Sequence, residues 1–167
     1  MDALDLIKTR RSVRKYKSEM PSDDQMKKCI EAACSAPSAH NSQPWKFVVV
    51  KDRESIEKLA RTQTHSRFLL TAPVVIVALG DEAKSPGHWI EDCSCAIMLL
   101  MLEASSLGLG TCWNAVYDSE STDREEYVRS VLKIPKKYRV IANIGLGYPD
   151  EKPWDKKIMS FSEATKL

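Results

Sequence analysis

Paired cysteines, clustered histidines and long apolar runs are missing from this sequence, and each absence argues against a class of protein. The chain has five cysteines, an odd number without a Cys-x-x-Cys pair, and only three histidines. A disulfide framework, a zinc site and an iron–sulfur cluster therefore have little support. In the longest predicted helix the uninterrupted apolar run covers only residues 95–102, which is too short to cross a bilayer.

A large excess of positive or negative charge is also lacking. Lysines and arginines number 25 against 23 aspartates and glutamates, and the formal net charge of +2 offers no overall argument for a nucleic-acid or membrane partner. Met1 is followed by Asp2 and Asp5 instead of a basic segment and an apolar run. We therefore expect no secretory signal and a location in the reducing cytoplasm.

The length of 167 residues predicts one domain over residues 1–167, which can bury roughly 68–70% of the surface that the unfolded chain exposes. Apolar periodicity predicts too few β-α-β units for a doubly wound parallel sheet. Capping boxes are predicted where Ser22 precedes Gln25 and where Thr122 precedes Glu125. Besides the helix that begins after Ser22, helices are expected over residues 3–9, 53–61, 88–107 and 121–132, and strands over 45–50, 73–80, 109–117 and 139–147.

Residues 88–107 form the longest predicted helix, and from Cys93 to Ala104 its apolar residues extend nearly all the way round. A helix of that kind is buried on all sides. In a chain this small, such burial suggests a central helix shared with a second subunit, although the core helix of a monomer remains an alternative. From Tyr148 onward no period is visible, so we expect residues 150–167 to be an extended tail that grips another surface.

Side chains with a catalytic pattern are not evident. Neither of the two Gly-x-Gly pairs, at residues 108–110 and 145–147, lies between a strand and the helix that follows it, as a dinucleotide-binding turn requires. No Gly-x-Ser-x-Gly elbow is present. Asp92, Cys93 and Cys95, on the buried helix, are interpreted as packing residues because free cysteines are commonly buried.

The sequence does contain groups suited to binding a ligand. Arg10, Ser12 and Arg14 offer the forked guanidinium groups and the hydroxyl that suit a terminal phosphate. The loop 36–43 supplies hydroxyls and side-chain amides with almost no net charge, which suit a neutral polyol. A glycine turn leads to Trp113. A ligand with a phosphate, a polyol and a flat ring would use all three groups.

Four segments, in their order along the chain, resemble segments of the nitroreductase family of FMN-dependent oxidoreductases. Each match is modest alone, and the four together are specific. The matching segments are Arg10-Arg11-Ser12-Val13-Arg14-Lys15-Tyr16; Ala36-Pro-Ser-x-x-Asn41-x-Gln43-Pro-Trp45-x-Phe-Val; the helix with Asp92 that ends in Leu107-Gly-Leu-Gly-Thr-Cys-Trp113; and Ile144-Gly-Leu-Gly-Tyr-Pro149.

The resemblance implies an α+β fold with a mixed central sheet flanked by helices, an interlocked homodimer with FMN at the subunit interface, and a C-terminal extension that wraps the partner. It also implies three groups of FMN-binding residues. These are Arg10, Arg11, Ser12 and Arg14, with Lys156 or Lys157 from the tail, for the phosphate and ribityl chain; Pro37, Ser38, Asn41 and Gln43 from the other subunit; and Trp113, Asn114 and Ala115 along the ring, with a backbone N–H near flavin N5.

The function implied is transfer of a hydride from NAD(P)H to flavin N5, followed by reduction of an acceptor such as a nitroaromatic, a quinone or a flavin. The cofactor would carry this chemistry, which agrees with the lack of catalytic side chains. A flavin-binding storage or sensor protein without nicotinamide-dependent turnover remains the alternative, because its binding residues would look the same. A nucleic-acid patch over residues 10–17 has less support, because Tyr16 is its only stacking aromatic.

Overall fold

The computed structural model describes residues 2–152 and 154–165. The helices are α1 (Ala3–Thr9), α2 (Asp23–Cys34), α3 (Arg53–Leu59), α4 (Trp89–Ser106), α5 (Asp123–Leu132) and α6 (Phe161–Thr165), and the strands are β1 (Trp45–Val50), β2 (Val74–Gly80), β3 (Gly110–Ala115) and β4 (Arg139–Gly147). Two 3-10 segments, Ala39–Asn41 and Thr64–Thr71, precede β1 and β2. None of the described helices combines the length and apolarity that a membrane crossing needs.

The four strands form one sheet in the order β1-β2-β4-β3, and each neighbouring pair is antiparallel. The predicted α+β class is therefore confirmed. The mixed character expected of the sheet is confined, within the described residues, to one parallel bridge between Ser12 and Thr111. Strands β1 and β3 are the two edges.

Helical layers cover both faces of the sheet and explain why its central strands are so apolar. Helices α2 and α4 pack on one face, where the core includes Ile76 and Ile144. Helices α3 and α5 and the second 3-10 segment pack on the other face, where the core includes Val77 and Leu69. All seven residues of β2 are consequently buried, as its uninterrupted apolar sequence predicted.

One of the two predicted capping boxes forms. At α2, the Ser22 hydroxyl accepts a hydrogen bond from the Gln25 amide at 3.1 Å, and the Gln25 side chain accepts one from the Ser22 amide at 3.0 Å. At α5 the prediction was wrong, because the Thr122 side chain makes no capping bond. Both helix starts have the capping-box spacing, with Gln25 three residues after Ser22 and Glu125 three residues after Thr122. The two outcomes therefore differ because another group binds the Glu125 carboxylate.

The competitor at α5 is a buried ion pair. Glu125 is only 1% exposed and accepts hydrogen bonds from Arg139 Nε at 3.0 Å, Arg139 Nη2 at 2.7 Å and the Val140 amide at 2.9 Å. The same guanidinium lies over the rings of Trp89 and Tyr117. Three charge-assisted or backbone partners outweigh a single exposed capping bond, because a buried carboxylate without them would be very costly.

The sequence predicted that helix α4 is buried on all sides, but within a single chain one side of it is exposed. Ala96, Ile97 and Leu100 are fully buried, whereas Met98 is 42% exposed and Cys95 is exposed. The exposed side is itself apolar, which is what a helix shared with a second subunit requires. The homodimer stays a prediction.

The tail is less extended than predicted. Residues 153, 166 and 167 of the expected tail lie outside the described residues, and Phe161–Thr165 form helix α6. Ser160 and Glu163 supply its start, since the Ser160 amide and hydroxyl donate to the Glu163 carboxylate at 2.8 and 2.6 Å. This Ser-x-x-Glu pattern is a capping box without an apolar period behind it, which is why periodicity missed it.

Candidate functional site

A cleft of about 410 Å³, here named the arginine cleft, gathers the cationic cluster predicted to bind phosphate. The segment after α1 runs beside the start of β3, where Ser12 bridges Thr111 and the Val13 amide donates to the Thr111 carbonyl at 2.9 Å. The tail forms the opposite wall. The lining residues are Arg10, Arg11, Ser12, Arg14, Glu151, Trp154 and Lys156.

Two buried residues hold this segment against the sheet. Val13 is 4% exposed and Tyr16 is 5% exposed, while Ser12 and Arg14 beside them are exposed. The Tyr16 hydroxyl lies 2.5 Å from the Val13 carbonyl, and burial raises the pKa of Tyr16, so it remains a donor. The close approach also needs Gly110, because a Cβ there would lie 2.7 Å from the Val13 side chain.

The cations of the arginine cleft differ in what they bind. Arg11 donates from Nε to the Trp154 carbonyl at 3.0 Å and from Nη1 to a carbonyl of α1 at 2.6 Å, so it ties the tail to the first helix. Among the described residues, the Arg14 guanidinium reaches one backbone carbonyl, that of Ser12, with Nη1 at 3.5 Å. The side chains of Arg10 and Lys156 have no hydrogen-bond or ion-pair partner within residues 2–152 and 154–165. The cleft therefore holds free positive charge.

Two acidic residues absent from the predicted set attach the tail to the arginine cleft. Asp150 pairs with Lys15 at 3.1 Å, and the Glu151 carboxylate accepts the Arg14 amide at 2.5 Å. Of the two tail lysines in the predicted set, Lys156 lines the cleft, whereas Lys157 is exposed outside it. No local pattern marks Glu151, since its partner lies 137 positions earlier.

Edge strand β3 presents backbone groups on its outer side. The Thr111 carbonyl accepts the Val13 amide, and the Ala115 carbonyl accepts Gln63 Nε2 at 2.8 Å, so both point away from β4. Residues two apart in a strand present their peptide groups on the same side. The peptide groups of Trp113 and the Ala115 N–H therefore lie on this outer side, here named the open edge of β3.

A polar network fixes the end of the open edge. Fully buried Ser66 donates to Asn114 Oδ1 at 2.8 Å, and Gln63 Oε1 accepts from Arg124 Nη1 at 3.1 Å. Asn114 was predicted to lie along a flat ring, but its side chain is 4% exposed and bound to Ser66. Its peptide groups face β4, because only every second residue of β3 faces the open edge. Gln63 and Ser66 were not predicted, because their partners lie about fifty positions away.

The loop 36–43, here named the amide loop, has a strained backbone. Three of its residues have positive φ, among them Asn41 at 52° and Gln43 at 46°. Each such non-glycine residue costs on the order of 1–3 kcal/mol, and such strain clusters at ligand sites. The Ser38 hydroxyl accepts the Gln43 amide at 3.0 Å, while the buried Ser42 hydroxyl has no hydrogen-bond partner in the described residues.

Asp92 anchors the amide loop to α4. Its Oδ1 accepts the Ala39 amide at 3.0 Å, and its Oδ2 accepts the Ser85 hydroxyl at 2.6 Å. The prediction that Asp92 only packs was therefore incomplete. For Cys93 the packing role is confirmed, because it is 1% exposed and its burial, with the adjacent carboxylate, raises its pKa to about 12. Cys95 is exposed in the single chain, so its packing role stays a prediction that depends on the homodimer.

In one chain the predicted site residues fall into two separate parts. Asn41 and Gln43 line a second cleft, of about 530 Å³, together with Trp45 and Lys84. Pro37 is exposed nearby. No hydrogen bond or ion pair among the described residues joins the amide loop to the arginine cleft. The assignment of this loop to the partner subunit's FMN site stays a prediction.

Comparisons with known proteins agree over nearly the whole chain. The sequence model of the nitroreductase family matches residues 7–65 and 60–148. A protein of Methanothermobacter thermautotrophicus, provisionally named NADH dehydrogenase/NAD(P)H nitroreductase, is 41% identical over 155 residues, covering 92% of this chain and 80% of that protein. The crystal structure of a Parabacteroides distasonis protein with the same provisional name has a TM-score of 0.90 and 37% identity, covering 96% and 94% of the two chains. An FMN-dependent nitroreductase of Clostridium difficile has a TM-score of 0.83 and 38% identity, covering 95% and 92%.

Proposed function

This chain belongs to the nitroreductase family, and on that premise we propose that it is an FMN-dependent oxidoreductase. It would oxidise NAD(P)H and reduce a small acceptor such as a nitroaromatic, a quinone or a flavin. The observation that carries the proposal is the position of the arginine cleft at one end of β3, next to the open edge of the same strand.

The arginine cleft fits the phosphate of FMN. A phosphate needs forked or point-like cations that are not already paired, together with a hydroxyl or amide donor. Arg10 and Lys156 supply unpaired cations, and Ser12 supplies an exposed hydroxyl. Arg11 would act through the tail instead, because its guanidinium already binds the Trp154 carbonyl.

The open edge of β3 fits the rim of a flat heteroaromatic ring. Ala115 offers an N–H whose direction is set by the strand, and the bond from Gln63 fixes the next peptide group along the chain, which contains the Ala115 carbonyl. Its methyl side chain does not affect that backbone donor. The amide loop would meet the ribityl chain and ring from the second subunit of a homodimer.

When bound, FMN would supply the two-electron chemistry at its ring. The residues of this chain would bind and orient FMN and would leave one face of its ring accessible. Arg10, Ser12 and Lys156 would fix the phosphate end, and the Ala115 N–H would set the ring end. Asp92 would hold the amide loop in its strained form through the Ala39 amide. No side chain is then required to move a proton or act as a nucleophile.

The test is the visible spectrum of the purified protein, reconstituted with FMN under anaerobic conditions, before and after NADPH and then NADH. We expect a yellow protein that bleaches with at least one donor and recovers its colour when a nitroaromatic or quinone is added. A protein that stays colourless after reconstitution would refute the cofactor assignment. A yellow protein that neither donor bleaches would refute the enzymatic function and favour flavin storage or sensing.

A further inference from the structure

A second cationic groove, of about 570 Å³, lies between α3 and the 3-10 segment Thr64–Thr71 and has no role in the function proposed above. It is here named the Arg61–Arg67 groove. Its lining residues are Glu57, Ala60, Arg61, Gln63, Thr64, Arg67 and Leu70.

The charge of this groove is positive and uncompensated. Arg61 and Arg67 are exposed, and within the described ranges neither guanidinium has a hydrogen-bond or ion-pair partner. The one acidic lining residue, Glu57, is paired with Arg53 Nε at 3.1 Å. Two free guanidinium groups in one concave surface suit a phosphate or a carboxylate, which each can bind in a forked geometry.

One side chain connects the groove to the open edge of β3. Gln63 lines the groove, and its Nε2 donates to the Ala115 carbonyl at 2.8 Å. Its Oε1 is held by Arg124 Nη1 at 3.1 Å, so the amide is fixed at both ends. One lining residue of the groove therefore contacts Ala115, where the proposed function places the rim of the flavin ring.

We propose that the Arg61–Arg67 groove binds the anionic substituent, a phosphate or a carboxylate, of the redox co-substrate. This inference rests on the proposed function, because it needs a co-substrate that approaches the ring end of β3. The substituent has two sources: the 2′-phosphate that distinguishes NADPH from NADH, or a carboxylate on an aromatic acceptor. Both would gain the same charge-assisted bonds, and a neutral co-substrate would gain none.

The first experiment measures binding without turnover. Adenosine 2′,5′-bisphosphate, 5′-AMP and 4-nitrobenzoate are titrated calorimetrically into the FMN-loaded protein and into its Arg61→Ala, Arg67→Ala and double variants. Lys27→Ala is the matched control, because it removes the same charge from an exposed position on α2. We expect each arginine substitution to lower the affinity for the bisphosphate or for 4-nitrobenzoate about fivefold at low ionic strength, and by less at high salt. The control should change neither.

The second experiment assigns the source from kcat/KM values. A loss with NADPH but not with NADH would place the donor's phosphate in the groove. A loss with 4-nitrobenzoate but not with nitrobenzene would place an acceptor's carboxylate there. Unchanged binding of both the bisphosphate and 4-nitrobenzoate in the double variant would overturn the proposal, and so would a loss of FMN binding, since the groove would then belong to the flavin site. A wild-type protein that never binds FMN would instead refute the proposed function.

Discussion

Replacing Arg10 by alanine should weaken the binding of FMN without weakening the binding of riboflavin, which lacks the phosphate. Arg10 is half-buried in the arginine cleft, and its guanidinium has no partner within the described part of the chain. The substitution therefore breaks no existing ion pair and leaves no charge stranded. Any loss of FMN affinity would come from the lost contact with the ligand and not from a damaged fold.

The expected loss follows from what remains in the cleft. A hydrogen bond to a charged group contributes about 1.5–3 kcal/mol, which corresponds to roughly ten- to a hundredfold in affinity. The arginine cleft is open to solvent and keeps the cations of Arg14 and Lys156, so solvent screening and the remaining charge reduce the effect. We expect a value near the lower limit, about tenfold.

The assay is a fluorescence-quenching titration of FMN and riboflavin into the wild type, Arg10→Ala and Lys17→Ala. Lys17 is exposed on the same segment but does not line the cleft, so its removal tests the effect of net charge alone. An equal loss for both flavins in Arg10→Ala would refute the phosphate assignment. An equal loss in both variants would show that the effect is long-range attraction and not contact.

Three further perturbations test the scaffold around the site. Glu125→Gln should cost about 2–4 kcal/mol in the free energy of unfolding measured by urea denaturation, because the partly buried Arg139 guanidinium loses the Glu125 carboxylate and keeps only the more exposed carboxylate of Glu82; a loss below about 1 kcal/mol would mean that the pair is solvated like a surface pair. Gly110→Ala should cost about 1–3 kcal/mol by overpacking, since the new Cβ would lie 2.7 Å from both Cβ and Cγ2 of Val13; a loss below about 0.5 kcal/mol, the size of an ordinary surface substitution, would contradict that contact. At pH 8 the exposed thiol of Cys34 should react with an aromatic disulfide reagent, whereas Cys93 should react only after unfolding. Burial raises the pKa of Cys93 to about 12 and keeps this thiol protonated. Fast labelling of Cys93, located by peptide mass spectrometry, would contradict its burial.

Features determined by neighbouring residues could be predicted from the sequence. Strand β4 occupies Arg139–Gly147, the range that its apolar run predicted. The capping box at Ser22 forms because both of its partners lie within one turn. Gly108 adopts φ of 75° after α4, as the C-terminal glycine of a helix commonly does. In each case the deciding interaction is local, so a sequence window contains it.

Features determined by distant partners could not be predicted. Glu125 has the spacing of a capping residue, yet Arg139 binds it because the carboxylate is buried. Asp92 was interpreted as a packing residue because the amide it binds, that of Ala39, lies 53 positions earlier. The residues predicted to bind phosphate do gather in the arginine cleft, and their role there stays a prediction, but the choice of Lys156 over Lys157 at the cleft depends on how the tail is attached.

The two ends of β3 explain why the ring end of the candidate site consists of backbone groups. An unpaired edge strand is a template for unwanted pairing, so proteins cover or interrupt it. Here the Val13 amide covers the Thr111 carbonyl at one end, and the Gln63 side chain covers the Ala115 carbonyl at the other. The two covered carbonyls are four residues apart, about 13 Å along a strand, and only the Trp113 peptide groups and the Ala115 N–H lie between them on that side. A flat ligand that bridges this gap from the arginine cleft would complete the covering of the edge, so the same peptide groups would serve both strand protection and cofactor binding.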